Sequence, residues 1–442
     1  MFRALSHRNF RLFWAGAFLS NVGSWMQTVA QSWLVLQLTD SGTWLGVDNL
    51  VATAPGLVLT LVGGVIADKL DRKRLLIYTQ ALAGLSALVL SYLIWADVIR
   101  WRGEARRPGD VWMVLVLTFV TGCCWAISGP SYQAITVDLV GREDMANAVA
   151  LNSSQFQLAR VIGPLLAAVT MSLLGMAGCF LANGLSYAAI VVALSRVKFE
   201  RPGASKRAGG GRASSEASDE GSAAGREAVK VAATQGAGAA VRRSMWGDLV
   251  EAFAYVRGRP RVRVVLLCST MVSLFGGPYL VLMPMFARNV YGWDEAGLSL
   301  MMGTAGAGAL FGALTLAYLG ELRRKGLFLL GSLFSGGACI VGFSASASPR
   351  VAVPLLFVTG LSMVCHFALG NTLLQQLVRD EMRGRVMSMW ILTFIGTMPV
   401  GSFLSGAAAD RFGPRPVLAA CGLLIVLFGL AVASRNPSLR EM

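Results

Sequence analysis

Runs of about twenty apolar residues recur along this chain, and no other feature constrains its fold as much. An α-helix rises about 1.5 Å per residue, so about twenty residues cross the roughly 30 Å hydrocarbon layer of a bilayer. Twelve such runs can be marked, at roughly 10–37, 43–67, 74–96, 111–139, 147–174, 177–196, 262–287, 297–320, 327–346, 351–377, 386–409 and 416–434. Only 14% of the 442 residues are charged. A soluble domain carries about 25% and could not cover so large a core with less. The reading is an all-α integral membrane protein. The first run leads into eleven more without a small-residue cleavage site, which reads as a span and not a removable signal peptide.

The net charge of +15 raises nucleic acid as a partner, and its distribution argues against one. With an even number of spans and the N-terminus inside, 30 Lys/Arg fall on the inner side, 8 on the outer and one, Arg160, within a span. That asymmetry is the positive-inside rule and sets both termini in the cytoplasm. The outer segment ADVIRWRGEARRPGD, residues 96–110, runs against it with four arginines and three acids. The seven cysteines all lie in or beside apolar runs with no CxxC or Cys/His spacing. They read as small buried apolar residues, not as disulfides or metal ligands.

Residues 199–245 break the pattern with Gly, Ala, Ser and charge, a composition that cannot bury enough surface to order itself. The expected organisation is a six-span bundle over 1–198, a flexible cytoplasmic linker over 199–245, and a second six-span bundle over 246–442. The second bundle opens with Trp246, Leu249, Val250 and Phe253 at helical spacing, a short helix along the membrane surface. The halves look like repeats. LVGREDMANAVALN from Leu139 and LVRDEMRGRVMSMW from Leu377 start 238 residues apart, as do Gly163 and Gly401. Paired six-span repeats are a common plan of secondary transporters, with the substrate path between them. GTAGAGALFG, residues 303–312, offers glycines for close helix approach, either as fixed packing or as a sliding seam.

Between spans 2 and 3 stands a dense knot of charge, GGVIADKLDRKR, residues 63–74. Gly63 and Gly64 permit a tight turn. Asp68 can accept hydrogen bonds at the positive end of a neighbouring helix. Arg72 can pair with Asp68 or with Asp138 at the inner end of span 4, while Lys69, Lys73 and Arg74 suit headgroup contacts. The pattern resembles the loop signature between helices 2 and 3 of the major facilitator superfamily, which usually has Gly where this chain has Asp71. Residues 10–41, RVIGP at 160–164, LMPMFARNVYG at 282–292 and RGRVMSMW at 383–390 resemble the bacterial exporter branch of enterobactin-exporter-like and macrolide-efflux-like drug:proton antiporters. The resemblance implies twelve helices in two six-helix bundles related by pseudo-two-fold symmetry, in a bacterial inner membrane. It also implies that the loop latches an inner gate against the second half, near Arg385. A near-copy, GAAADRFGPR from Gly406 to Arg415, falls outside by span counting, where it cannot latch an inner gate.

Ionisable residues within spans are costly and need a reason. Asp48, Arg160 and His366 are therefore the proton-coupling candidates, against the alternatives of a hydrated carboxylate, a bracing arginine and a packing histidine. Histidine ordinarily titrates near neutral pH. Asn21, Gln27, Gln31, Gln155, Asn371 and Gln375 are candidates to line a substrate cavity. No HExxH, P-loop or GxSxG pattern and no acidic metal cluster is present, so neither enzyme activity nor a cofactor is expected. The expectation is a monomeric secondary transporter that exports a small amphipathic compound in exchange for protons. A lipid flippase or uncoupled uniporter of the same fold is the alternative, and a membrane scaffold or receptor the remote one.

Overall fold

The computed structural model describes residues 3–69, 71–101, 103, 106–141, 143–197, 245–320 and 322–436; the side chains of 58, 60–69, 137 and 245–249 fall outside that description. The linker expected over 199–245 thus lies almost wholly outside the described residues, as do the side chains around Gly63, Gly64 and Asp68. Among the described residues the chain is helical, with no strand. The first half comprises α1 (Arg8–Thr39), α2 (Gly42–Lys69), α3 (Arg72–Trp95), α4 (Val111–Val140) and α5 (Met145–Arg196). After it come α6 (Met245–Arg257), α7 (Pro260–Met271), α8 (Glu295–Leu319), α9 (Lys325–Ala345), α10 (Pro349–Leu377), α11 (Asp380–Ile395), α12 (Thr397–Phe412) and α13 (Pro414–Arg435).

Nine helical stretches among the described residues are long and apolar enough to cross a membrane. The 52-residue α5 is two arms that break at Gly175, where φ is +68°, a conformation that glycine adopts without strain. With α1 and α2, at 32 and 28 residues, the count is consistent with twelve crossings. The seventh crossing is not one regular helix. After α7 it passes through π-helical turns at Val272–Gly276 and Phe286–Val290, with short helices at Pro278–Val281 and Met283–Met285 between. Pro278 and Pro284 lack the amide that a regular helix needs. Discontinuous spans of this kind commonly line transport sites.

Within the first half, α1 packs on α5, α2 on α4, and α3 on α4 and α5; within the second, α8 and α9 pack on α10, and α9 on α13. Two reciprocal contacts join the halves, α2 with α12 and α5 with α8. The repeat at 238 residues reappears as packing. Gly163 on α5 faces Trp25 and Val22 of α1, where a β-carbon would come within 2.5 Å of the Trp25 side chain. Gly401 on α12 faces the backbone of Leu274 in the seventh crossing, with no room for a β-carbon. The same glycine serves the same neighbour in each half, fifth crossing on first and eleventh on seventh.

The glycines of residues 303–312 divide between two neighbours. Gly308 and Gly312 abut the backbone of Phe357 and Leu361 in α10, fixed packing within one half. Gly303 and Gly306 abut Leu165 and the Arg160 carbonyl of α5, in the other half. Large apolar side chains such as Leu173 and Leu174, Phe311, Leu404 and Leu427 stand exposed around the perimeter, as a lipid-facing surface requires.

Candidate functional site

Arg160 sits where the halves meet. Its guanidinium donates to the Tyr279 hydroxyl across the junction, at 3.4 Å, and lies 5.4 Å from the centroid of the Trp25 ring. No carboxylate pairs with it among the described residues. Three crossings supply this cluster: α1 brings Trp25, α5 brings Arg160, and the broken seventh crossing brings the buried Tyr279. An aromatic face attracts a cation electrostatically, and a phenol accepts from it, so the charge is held without being neutralised.

A second polar system runs through the first half. The Asp48 carboxylate accepts from Gln31 Nε2 at 2.8 and 3.0 Å and from Thr118 Oγ1 at 3.2 Å. Gln31 Oε1 accepts from Gln27 Nε2 at 3.3 Å, and Gln27 Oε1 accepts from Asn183 Nδ2 at 2.5 Å. The chain of bonds thus links α2 and α4 through α1 to the second arm of α5. All the groups holding Asp48 are uncharged. A carboxylate held only by uncharged donors inside the membrane can lose or gain a proton without breaking an ion pair.

Other candidates lie elsewhere. Gln155 is buried within the first half and donates to the Tyr132 hydroxyl at 3.0 Å and to Asn152 at 3.2 Å. His366 is 1% exposed and sits between the hydroxyls of Ser269 and Ser332, at 3.4 and 3.5 Å. Asn371 accepts from Gln375 one turn along α10 at 3.1 Å, and Asn21 is half-buried on α1. These positions do not converge on the Arg160 cluster.

At the basic face, Asp71 caps α3 by accepting from the amides of Lys73 and Arg74 at 2.9 and 3.2 Å. Arg72 pairs with Asp138 at 3.2 Å. Lys73 donates to the carbonyls of Ser195 and Val197 at the end of α5, at 3.1 and 2.7 Å. Arg385 on α11 pairs with Glu251 on α6 at 2.7 Å. Each of these pairs stays within one half.

The opposite face holds what the sequence reading missed. Asp410, in the near-copy of the charged signature at the end of α12, accepts from Ser41 Oγ at 2.6 Å, from the Thr43 amide at 2.9 Å, and from the Gly42 amide and Thr43 Oγ1. Those groups form the N-terminus of α2. An anion from one half therefore caps a helix of the other, where unpaired amides and the helix dipole favour negative charge. The seam below is built for close approach: a β-carbon on Gly42 would come within 2.8 Å of the Gly406 carbonyl, and one on Gly46 within 2.6 Å of Phe403. Arg288, in the last π-helical turn of the seventh crossing, pairs with Asp40 and donates to the Leu36 carbonyl, adding a second tie across the same face. The signal was present in Ser41-Gly42-Thr43, an uncapped helix start facing an unassigned aspartate.

Residues 1–208 and 229–442 match the family model described as transmembrane secretion effector. The chain is similar to the staphyloferrin A transporter of Staphylococcus aureus, 23% identical over 409 residues that cover 91% of this chain and 90% of that one. It is 21% identical over 431 residues to macrolide efflux protein A of Streptococcus pyogenes, covering 97% and 96%. Among solved structures, a D-xylose–proton symporter superposes with a TM-score of 0.68 at 13% identity, over 98% of this chain and 99% of that one. By sequence over nearly its whole length and by fold, the chain belongs to the transmembrane secretion effector family of the major facilitator superfamily, the membrane transporters.

Proposed function

We propose that this transporter exports a small amphipathic compound, of the kind its macrolide- and siderophore-transporting relatives are named for, in exchange for protons. The basic face is the cytoplasmic one, with both termini there and the bilayer a bacterial inner membrane. The two halves rock about the Trp25–Arg160–Tyr279 junction. In the conformation described, the face bearing Asp410 is tied shut, and the loop around Asp68 with Arg72, Asp138 and Arg385 is the counterpart gate that closes when that face opens. Gly63 and Gly64 supply its turn.

The observation that carries the proton coupling is Asp48: a carboxylate within a span, held by Gln31 and Thr118 and by no cation among the described residues. Protonation there removes a charge whose only compensation is hydrogen bonding, so the two protonation states favour different arrangements of α1, α2 and α4. Arg160 and His366 are the weaker candidates, Arg160 because it is engaged with Trp25 and Tyr279 at the junction, His366 because it is enclosed within the second half.

The test is proton movement in proteoliposomes under an imposed pH gradient, with macrolides and carboxylate siderophores offered in turn. Substrate-dependent proton flux is expected, and Asp48→Asn abolishes it while leaving downhill substrate movement. Substrate movement with no accompanying proton flux in the unaltered protein would overturn the antiport reading.

A further inference from the structure

A groove of about 460 Å³ opens at the basic-face end of the second half, read above as the cytoplasmic one, between α6, α7 and α11. Its lining is sorted along its length. Arg257, at the end of α6, and Arg263, in the first turn of α7, stand at the basic end. From Arg263, Leu266, Leu267 and Thr270 continue along one side of α7, at the helical spacing of three and four residues, toward the membrane interior. Met389 and Thr393, one turn apart on α11, face them.

Three facts describe what fits there. Arg257 and Arg263 are both exposed, and neither meets a carboxylate among the described residues. Leu267 is 43% and Phe253 63% exposed, so the apolar part of the groove opens to the bilayer and is not sealed in the protein. The nearest carboxylate on α6, Glu251, is engaged with Arg385, one turn before Met389, so it holds α6 against α11 and frames the groove. A site with two exposed guanidiniums that meet no carboxylate among the described residues, and an apolar channel leading away from them, is complementary to an anionic amphiphile whose charge and chain lie in that order. Arginine recognises phosphate oxygens bidentately, and basic pockets between spans on this side of a membrane bind anionic headgroups.

We infer that this groove is a binding site for one anionic phospholipid of the cytoplasmic leaflet, its phosphate held by Arg257 and Arg263 and an acyl chain lying along Leu266, Leu267 and Met389. The lipid then bridges α6 and α7 to α11, the helix that carries Arg385, and so links the membrane's composition to the inner ends of the second half.

The experiment is lipid titration of the detergent-purified full chain by native mass spectrometry, using dioleoyl phosphatidylglycerol, dioleoyl phosphatidylcholine and inorganic phosphate as probes. One phosphatidylglycerol is expected to bind more tightly than phosphatidylcholine. Arg257→Gln with Arg263→Gln lowers that affinity about thirtyfold (about 2 kcal/mol) and leaves phosphatidylcholine unchanged. The Lys pair at the same positions retains most of it. Leu267→Trp, which fills the apolar part, weakens phosphatidylglycerol with both arginines in place. Equal affinity for the two lipids, phosphatidylglycerol binding that survives the Gln pair, or displacement of the lipid by an equal concentration of inorganic phosphate would each overturn the proposal.

Discussion

Asp71 stands where the superfamily signature usually carries glycine, and its side chain closes the first turn of α3 on the Lys73 and Arg74 amides. The departure from the signature is therefore a cap. Replacing an N-cap Asp by Ala costs about 1 kcal/mol, and by Gly only a few tenths. Asp71→Ala is expected to lower the thermal midpoint of the protein in detergent, and Asp71→Gly to leave it nearly unchanged; equal losses in both would remove the cap from the explanation. This much was legible in the sequence, since an Asp directly before a helical run is a start signal. The partners of Arg160 were not. A lone arginine in an apolar run states a cost, but Tyr279 lies 119 residues away and Trp25 on a different helix, so only packing shows that an aromatic ring and a hydroxyl meet it.

Among the elements, the glycine-rich stretch of α8 shows why composition underdetermines a helix. Its first two glycines, Gly303 and Gly306, meet a neighbour in the other half and the next two, Gly308 and Gly312, one in the same half, because the helix presents different sides to α5 and to α10. Gly308→Val forces a side chain into the backbone of Phe357, an overpacking that typically costs about 1–3 kcal/mol. Thermal unfolding in detergent should show that loss, while Gly331→Ala on α9, with open space where its β-carbon would sit, should not. If both variants unfold alike, the α8–α10 contact is looser than described. The broken seventh crossing was only partly legible. Pro278 and Pro284 announce a disturbance in the sequence, yet the π-helical turns that bring Tyr279 to the junction depend on the neighbours packed around them.

At the scale of the whole molecule, two charged signatures stand at opposite ends of the helices. One lies in residues 63–74 and the other at Gly406–Arg415, and the second is engaged here through Asp410 on the start of α2. Charge-assisted hydrogen bonds are about twice as strong as neutral ones, and this carboxylate gathers four. Asp410→Ala is expected to shift the population toward opening of that face by at least about tenfold, a change of about 1.4 kcal/mol. Spin labels at Thr39 and Phe412, in a background without the seven native cysteines, read this as a longer distance; an unchanged distribution would mean that the glycine seam alone holds the face shut.

What the sequence determined by itself was every property that depends on counting along the chain. The length of each apolar run, the 238-residue repeat and the superfamily signatures were sufficient for a helical transporter of this family, because bilayer thickness and backbone hydrogen bonding leave few alternatives. Tertiary structure decided which residues act together. Asp410 and Gly42 are 368 residues apart, and a pattern that span counting could only exclude from the inner gate became a cap on a helix of the other half once α12 and α2 were packed side by side. Contacts between distant segments depend on how helices cross, and helix crossing is set by the shapes of the surfaces that meet and not by the order of residues within either.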